Sequence, residues 1–243
     1  MGKPAIRIPF FETSVKSYIY GDEVLEFAIA ADKAALKYDV DVLFISPYTE
    51  IRRIREHCPH LIILAPYMDT LRPGRGMADV LPEALKAAGA QGVVINHCER
   101  PMTLSAIRQT IERANELEML SFVCADTLEE AQAVAQFHPD IINPEPSALI
   151  GSGQASDMVF VMEAIRAVKA IDPAIMVEQA AGITTAQQIY DFIMAGSEAA
   201  GSASGVLKSP KRYELLDEMI GFVKKAREDL IKLGRLSALP GAR

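Results

Sequence analysis

Glu145 stands between Pro144 and Pro146 and is followed, after Ser147-Ala148-Leu149, by Ile150-Gly151-Ser152-Gly153. A carboxylate held in this way ahead of a glycine-bearing loop is suited to take a proton while the loop closes and expels water. Pro146 stiffens one hinge of that loop, and Gly151 and Gly153 loosen the other. Earlier in the chain, Asn96-His97-Cys98-Glu99-Arg100 supplies an imidazole beside an amide and a second carboxylate. Lys16, in Val15-Lys16-Ser17-Tyr18, is a candidate cation, with Glu12 just ahead of it. Gly182 in Ala180-Ala181-Gly182 and the run Gly201-Ser202-Ala203-Ser204-Gly205 are small-residue turns whose backbone amides can approach an anion closely. Gly151 and Ser152 join Gly182, Ser204 and Gly205 as candidate phosphate binders. A base, a hydrogen-bond donor, a cation and anion-holding turns are the parts needed for proton transfer on a small phosphorylated molecule.

The elements that must carry these residues are short aliphatic runs alternating with helical patterns. Strands are expected at Ala5–Phe11, Val40–Ser46, Leu61–Ala65, Gly92–Asn96, Leu120–Ala125, Ile141–Pro144, Ile175–Gln179 and Ala199–Ala203. Thr127 with Glu130, and Thr184 with Gln187, have the spacing of capping boxes. Pro210 fits a first-turn proline, and the last helix sets Leu215, Met219, Phe222, Ala226 and Leu230 on one stripe before a stop at Gly234. Strand–helix–strand crossovers demand parallel pairing, which an open sheet or a closed barrel can satisfy. Eight units of about thirty residues match the barrel's usual length of roughly 250. Pro9-Phe10-Phe11-Glu12 follows the first run in place of a glycine-rich dinucleotide fingerprint. The expectation is a single (β/α)8 barrel over residues 1–234 with a loose tail over 235–243. In such a barrel the residues above sit on one rim, at the C-terminal ends of the strands.

Composition sets the surroundings. The 243 residues are 50% hydrophobic and carry a formal charge of −7, with pI near 5.2, which argues against a nucleic-acid partner. No apolar stretch reaches the length of a membrane span, and Met1 to Pro9 lacks the hydrophobic core of a signal peptide. Three cysteines are a sparse, odd set that suits the cytoplasm. Cys98, next to His97, is expected to point to the opposite face of its strand and pack. Glu99 is expected as a salt-bridge partner or as the residue that orients the lysine. His57-Cys58-Pro59-His60 lacks the second donor set of a closed zinc site, so no metal is expected, and no cofactor either.

Asn96-His97-Cys98-Glu99 and Glu145-Pro146…Ile150-Gly151-Ser152-Gly153, in this order on strands four and six, resemble the triosephosphate isomerases, most closely the short archaeal type. The likeness runs from about Leu81 to Lys208 and is strongest at Val94–Glu99, Glu145–Gly153 and Ala203–Val206. It implies an aldose–ketose isomerase of carbohydrate metabolism, acting on a small sugar phosphate without a cofactor, as a homodimer or homotetramer. Glu145 would be the base and a neutral His97 the electrophile, roles established for the family rather than read from spacing, with Lys16 as the catalytic cation. The family's Asn-x-Lys, placed without gaps, falls on Phe10-Phe11-Glu12, so Lys16 supplies the cation only if the loop is longer. Ala180-Ala181-Gly182 replaces Gly-Ala-Gly, and Ala148 replaces a bulky aromatic in the lid. A triose phosphate and a slightly larger or branched ketose phosphate both fit. A barrel that only binds a phosphorylated metabolite is a further alternative. A Schiff-base aldolase fits poorly, because no expected strand carries a central lysine and Lys208 lies past the eighth.

Overall fold

Each β-branched run hydrogen-bonds in parallel to the next, and the eighth closes onto the first. The strands of this computed structural model are β1 (Phe10–Ser14), β2 (Val42–Ile45), β3 (Leu61–Ala65), β4 (Gly92–Ile95), β5 (Leu120–Ala125), β6 (Ile141–Pro144), β7 (Met176–Gln179) and β8 (Ala199–Gly201). Between and after them run α1 (Asp22–Tyr38), α2 (Ile51–His57), α3 (Pro82–Ala88), α4 (Leu104–Glu116), α5 (Leu128–Ala135), α6 (Met158–Lys169), α7 (Ala186–Ala195), α8 (Ser204–Leu207) and α9 (Arg212–Lys232). This is the expected closed (β/α)8 barrel, and the structure describes residues 2–237. Among them no helix is long and apolar enough to cross a membrane.

Alternation along each strand divides the buried side chains into two cores. Phe10, Leu43, Leu64, Val94, Phe122 and Ile141 fill the barrel. Phe11, Val42, Phe44, Ile63, Val93 and Ile95 point outward against the helices. Three strands occupy the expected residues, and β2, β4, β7 and β8 are trimmed at their ends.

The first strand is displaced. Pro9 has no N–H to give, so the ladder starts at Phe10, which donates to Glu198 O at 3.1 Å, and Phe11, which donates to Asp41 O at 3.0 Å. Glu12, Thr13 and Ser14 continue it opposite Leu43, Phe44 and Ile45. Ile6 and Ile8, expected in the strand, pack against the inner core instead. The end of β1 therefore falls at Ser14 and not at Phe11.

Several helix signals shift by a residue. Thr127 Oγ1 accepts from the Glu130 N–H at 3.2 Å, but the Glu130 carboxylate takes the N–H of Asp126 rather than that of Thr127. The second capping box is formed by Thr185 and Gln188, not by Thr184 and Gln187. Pro210 lies two residues ahead of α9. On α9, Met219, Ala226 and Leu230 are buried, whereas Leu215 and Phe222 are only partly covered, and Leu216, Ile220 and Val223 complete the face. Gly234 stops the helix with φ 67°. Beyond it the Arg235 and Leu236 amides still donate to Leu230 O, and 238–243 of the expected tail lie outside the described residues.

Candidate active site

A cavity of about 480 Å³ opens at the C-terminal ends of the strands, and Glu12, Lys16, His97, Glu99, Asn143 and Glu145 are among the residues that line it. Lys16 reaches it through its backbone. With φ 45°, left-handed for a residue with a Cβ, and its N–H on Ser14 Oγ at 3.2 Å, the chain turns back over the barrel just past β1. Its ammonium stands 3.2 Å from His97 Nε2 and 3.6 Å from Glu99 Oε1.

His97 is presented by Asn96, whose φ of 60° ends β4. The Asn96 amide braces that turn, donating to Cys124 O at 3.0 Å and accepting the Met102 N–H at 2.8 Å. The backbone N–H of Glu99 donates to His97 Nδ1 at 3.2 Å, so the neutral ring carries its proton on Nε2, toward the cavity. Burial and the Lys16 charge hold the imidazole below its usual pKa, while Glu99 opposes them. The same turn overturns the expectation for Cys98. Strand alternation has already ended, and the thiol is exposed, with Sγ 3.8 Å from His97 Nδ1.

Glu145 follows β6 and donates its N–H to Ala125 O at 2.7 Å. Its side chain is 10% exposed, with Oε2 at 3.9 Å from His97 Nε2. Asn143 Nδ2 stands 3.5 Å from the same oxygen. Burial pushes its carboxyl up to about 7, opposed by Lys16 and reinforced by Glu99 and Asp126. Asp126 also anchors the lid, accepting from the N–H and the hydroxyl of Ser147. At the far end Gly151 and Gly153 take φ 71° and 78°. Ser152 is turned into the lid itself, its hydroxyl donating to Leu149 O at 2.7 Å, and it is not among the residues lining the cavity.

Gly151, Gly182, Ser204 and Gly205 do line the cavity. A Cβ on Gly182 would lie 1.9 Å from Gln154 O, so only glycine lets the lid's C-terminal hinge rest on the turn after β7. A Cβ on Gly151 would lie 4.0 Å from Lys208 Nζ, which places that lysine at the lid. Sequence reasoning weighed Lys208 only as a nucleophile. It also missed Asn143 and Glu178; a polar residue inside Ile141-Ile142-Asn143-Pro144 and another inside Met176-Val177-Glu178-Gln179 were the available signals. Away from the rim, His60 pairs with Asp32 at 2.8 Å, the exposed His57 Nδ1 stands 2.8 Å from Arg53 O, and Cys58 is buried.

A family model described as triosephosphate isomerase matches residues 9–187. The chain belongs to the triosephosphate isomerase family. It is 31% identical over 220 residues to the triosephosphate isomerase of Sulfurisphaera tokodaii, covering 88% of this chain and 95% of that one. It is 30% identical over 234 residues to that of Sulfolobus acidocaldarius, covering 94% and 100%. A solved triosephosphate isomerase from Bartonella henselae shares the fold with a TM-score of 0.71 at 18% identity, over 89% of this chain and 99% of that one. β1 ends at Ser14, so Lys16 stands two residues past the strand end, and Glu12 belongs to the barrel interior.

Proposed function

We propose that this protein interconverts a small ketose phosphate and the corresponding aldose phosphate through an enediolate. Glu145 takes a proton from the carbon beside the carbonyl and returns it to the neighbouring carbon, while the hydroxyl proton passes to the former carbonyl oxygen, so the two isomers differ only in where these two protons and the carbonyl sit. The convergence of Glu145, His97 and Lys16 carries this reading. His97 Nε2–H and the Lys16 ammonium are both donors, 3.2 Å apart. They cannot satisfy each other, and one substrate oxygen between them satisfies both, which is where enediolate charge would be stabilised. Glu145 is poorly solvated yet able to ionise near neutrality, as a base for a C–H proton must be.

Amides of Gly182, Ser204 and Gly205, with the lid at Gly151, are suited to the phosphate, and Lys208 adds a charge at the lid. The Ser152 N–H and hydroxyl are both engaged with Leu149 O, so Ser152 joins the phosphate site only once the lid rearranges. The reading extends to a homodimer or homotetramer, supported by the exposed Met158, Val159 and Met162 of α6, and to the cytoplasm, supported by three unpaired cysteines.

Deuterium incorporation from D2O into ketose phosphates tests the chemistry without foreknowledge of the product. Exchange into dihydroxyacetone phosphate or a tetrulose phosphate is expected, and Glu145→Gln should slow it by about 10²–10⁴-fold. An unchanged rate in the variant would end the isomerase account.

A further inference from the structure

Below the rim, β1 and β7 send two carboxyls into the barrel. Glu12 is 3% exposed and Glu178 fully buried. They meet over β8, where a Cβ on Gly201 would lie 2.5 Å from Glu12 Oε2 and 2.7 Å from Glu178 Oε1. Glycine at 201 is what leaves room for the pair. The charged groups facing Glu178 are Glu12 and Glu145, and those facing Glu12 are Glu145 and Lys16. Two carboxyls so close and so dry cannot both ionise, so the pair retains a proton. Burial and Glu145 push Glu12 up to about 8, with Lys16 opposing.

The pair is not sealed off. Glu12 lines the same cavity as Lys16, His97 and Glu145, and so does Asn143. Glu12 Oε1 and Asn143 Oδ1 are buried there without a hydrogen-bond partner. Buried polar atoms normally have partners, and leaving one without costs about 1–3 kcal/mol. A protonated carboxyl donates and an amide oxygen accepts; a hydroxyl does both. With phosphate at the outer turns and the reacting carbons beneath Glu145 and His97, a hydroxyl reaching this floor belongs to a carbon beyond the three of a triose.

We propose that Glu12, with Asn143, is a specificity-determining residue that binds a hydroxymethyl group beyond the reacting carbons, so that the preferred substrate is a tetrulose phosphate rather than a triose phosphate. The inference rests on the isomerase reading for the placement of the reacting carbons; with a hydroxymethyl group beyond them the proton moves between C2 and C3, so a tetrulose 1-phosphate and a tetrulose 4-phosphate interconvert in place of a ketose–aldose pair.

The test measures kcat/KM and deuterium exchange for dihydroxyacetone phosphate and for tetrulose 1- and 4-phosphates. The wild type should favour a tetrulose phosphate. Glu12→Leu should lower the tetrulose-to-triose ratio by about 10–100-fold, and Glu12→Gln, which retains a donor, should restore most of it. A wild type that favours the triose, or a Glu12→Leu variant that slows both substrates in proportion, overturns the proposal while leaving the isomerase reading standing. Calorimetric titration of the wild type needs no variant to fold: a tetritol 1-phosphate should bind about tenfold more tightly than glycerol 1-phosphate, and equal affinity overturns the subsite. Tetritol preference without deuterium exchange into any ketose phosphate would keep the subsite and sink the isomerase reading.

Discussion

Glu145 on the rim and the Glu12–Glu178 pair on the floor are the same residue type in the same barrel, and their surroundings give them opposite chemistry. Glu145 lies where the lid and Lys16 meet, and its carboxyl reaches only about 7. Glu12 goes to about 8, and Glu178, which faces two carboxyls, goes well above the ordinary range through burial first and those charges second. Near neutrality the rim carboxyl can accept a proton, whereas the floor pair has one to give. Proton affinity is thus set by depth in the barrel first and by the charges each carboxyl faces second.

Removing that ammonium breaks the comparison most severely. In the wild type, kcat/KM should fall as pH drops through about 7, when Glu145 takes up its proton. Lys16→Met deletes the donor proposed for the enediolate oxygen and should lower kcat/KM by about 10²–10³-fold. Lys16 also holds Glu145 and His97 down. Without it both rise, and the acid limb of the pH–rate profile should move to higher pH. A limb that stays in place would show that the rim carboxyl owes nothing to the lysine.

The floor pair should register in stability rather than in rate. Unfolded Glu178 loses its proton near 4.5, and the folded chain keeps it far above that. Over that interval the folded state binds more protons than the unfolded state, so unfolding free energy falls as pH rises; Glu12 adds the same sign between 4.5 and about 8. Glu178→Leu removes one such carboxyl and should flatten the decline, giving a gain at pH 8 over pH 5.5 on the order of a few kcal/mol. Urea unfolding at the two pH values measures it, and a variant that loses stability more steeply toward pH 8 would refute the picture of a pair that retains a proton.

The same contrast explains what the sequence made legible. His97 and Glu145 follow apolar runs that could only be strands, so their place on the rim could be read directly. Leu61–Ala65 and Leu120–Ala125 were bounded correctly because they are continuous buried runs of apolar or small residues. Phe10–Ser14 was not, because Glu12-Thr13-Ser14 looks like solvated loop. In the fold Thr13 Oγ1 donates to Ser202 O at 2.8 Å and burial pushes the Glu12 carboxyl up to about 8, neither of which residue type alone reveals. That displacement carried Lys16 to the rim, two residues past the end of the strand. Glu178 escaped notice for the same reason, since its partner lies across β8 and far away in the chain. Cys98 was misjudged because left-handed Asn96 ends the alternation on which the expectation relied.

Glu99 offers the finest test of the rim. Its side chain is 64% exposed, 3.6 Å from Lys16 Nζ and 4.0 Å from His97 Nδ1. Its charge raises both Glu145 and His97. Glu99→Gln should therefore shift the acid limb slightly downward and raise kcat/KM at pH 6 by no more than about threefold, because water and salt screen an exposed charge. The backbone N–H that fixes the His97 tautomer is untouched by the substitution. Raising the ionic strength should erase the difference from wild type while the Lys16→Met defect persists. A loss above about tenfold that survives high salt would show instead that Glu99 positions the ammonium directly, and the rim would then depend on a held pair rather than on one lysine turned inward by its own backbone.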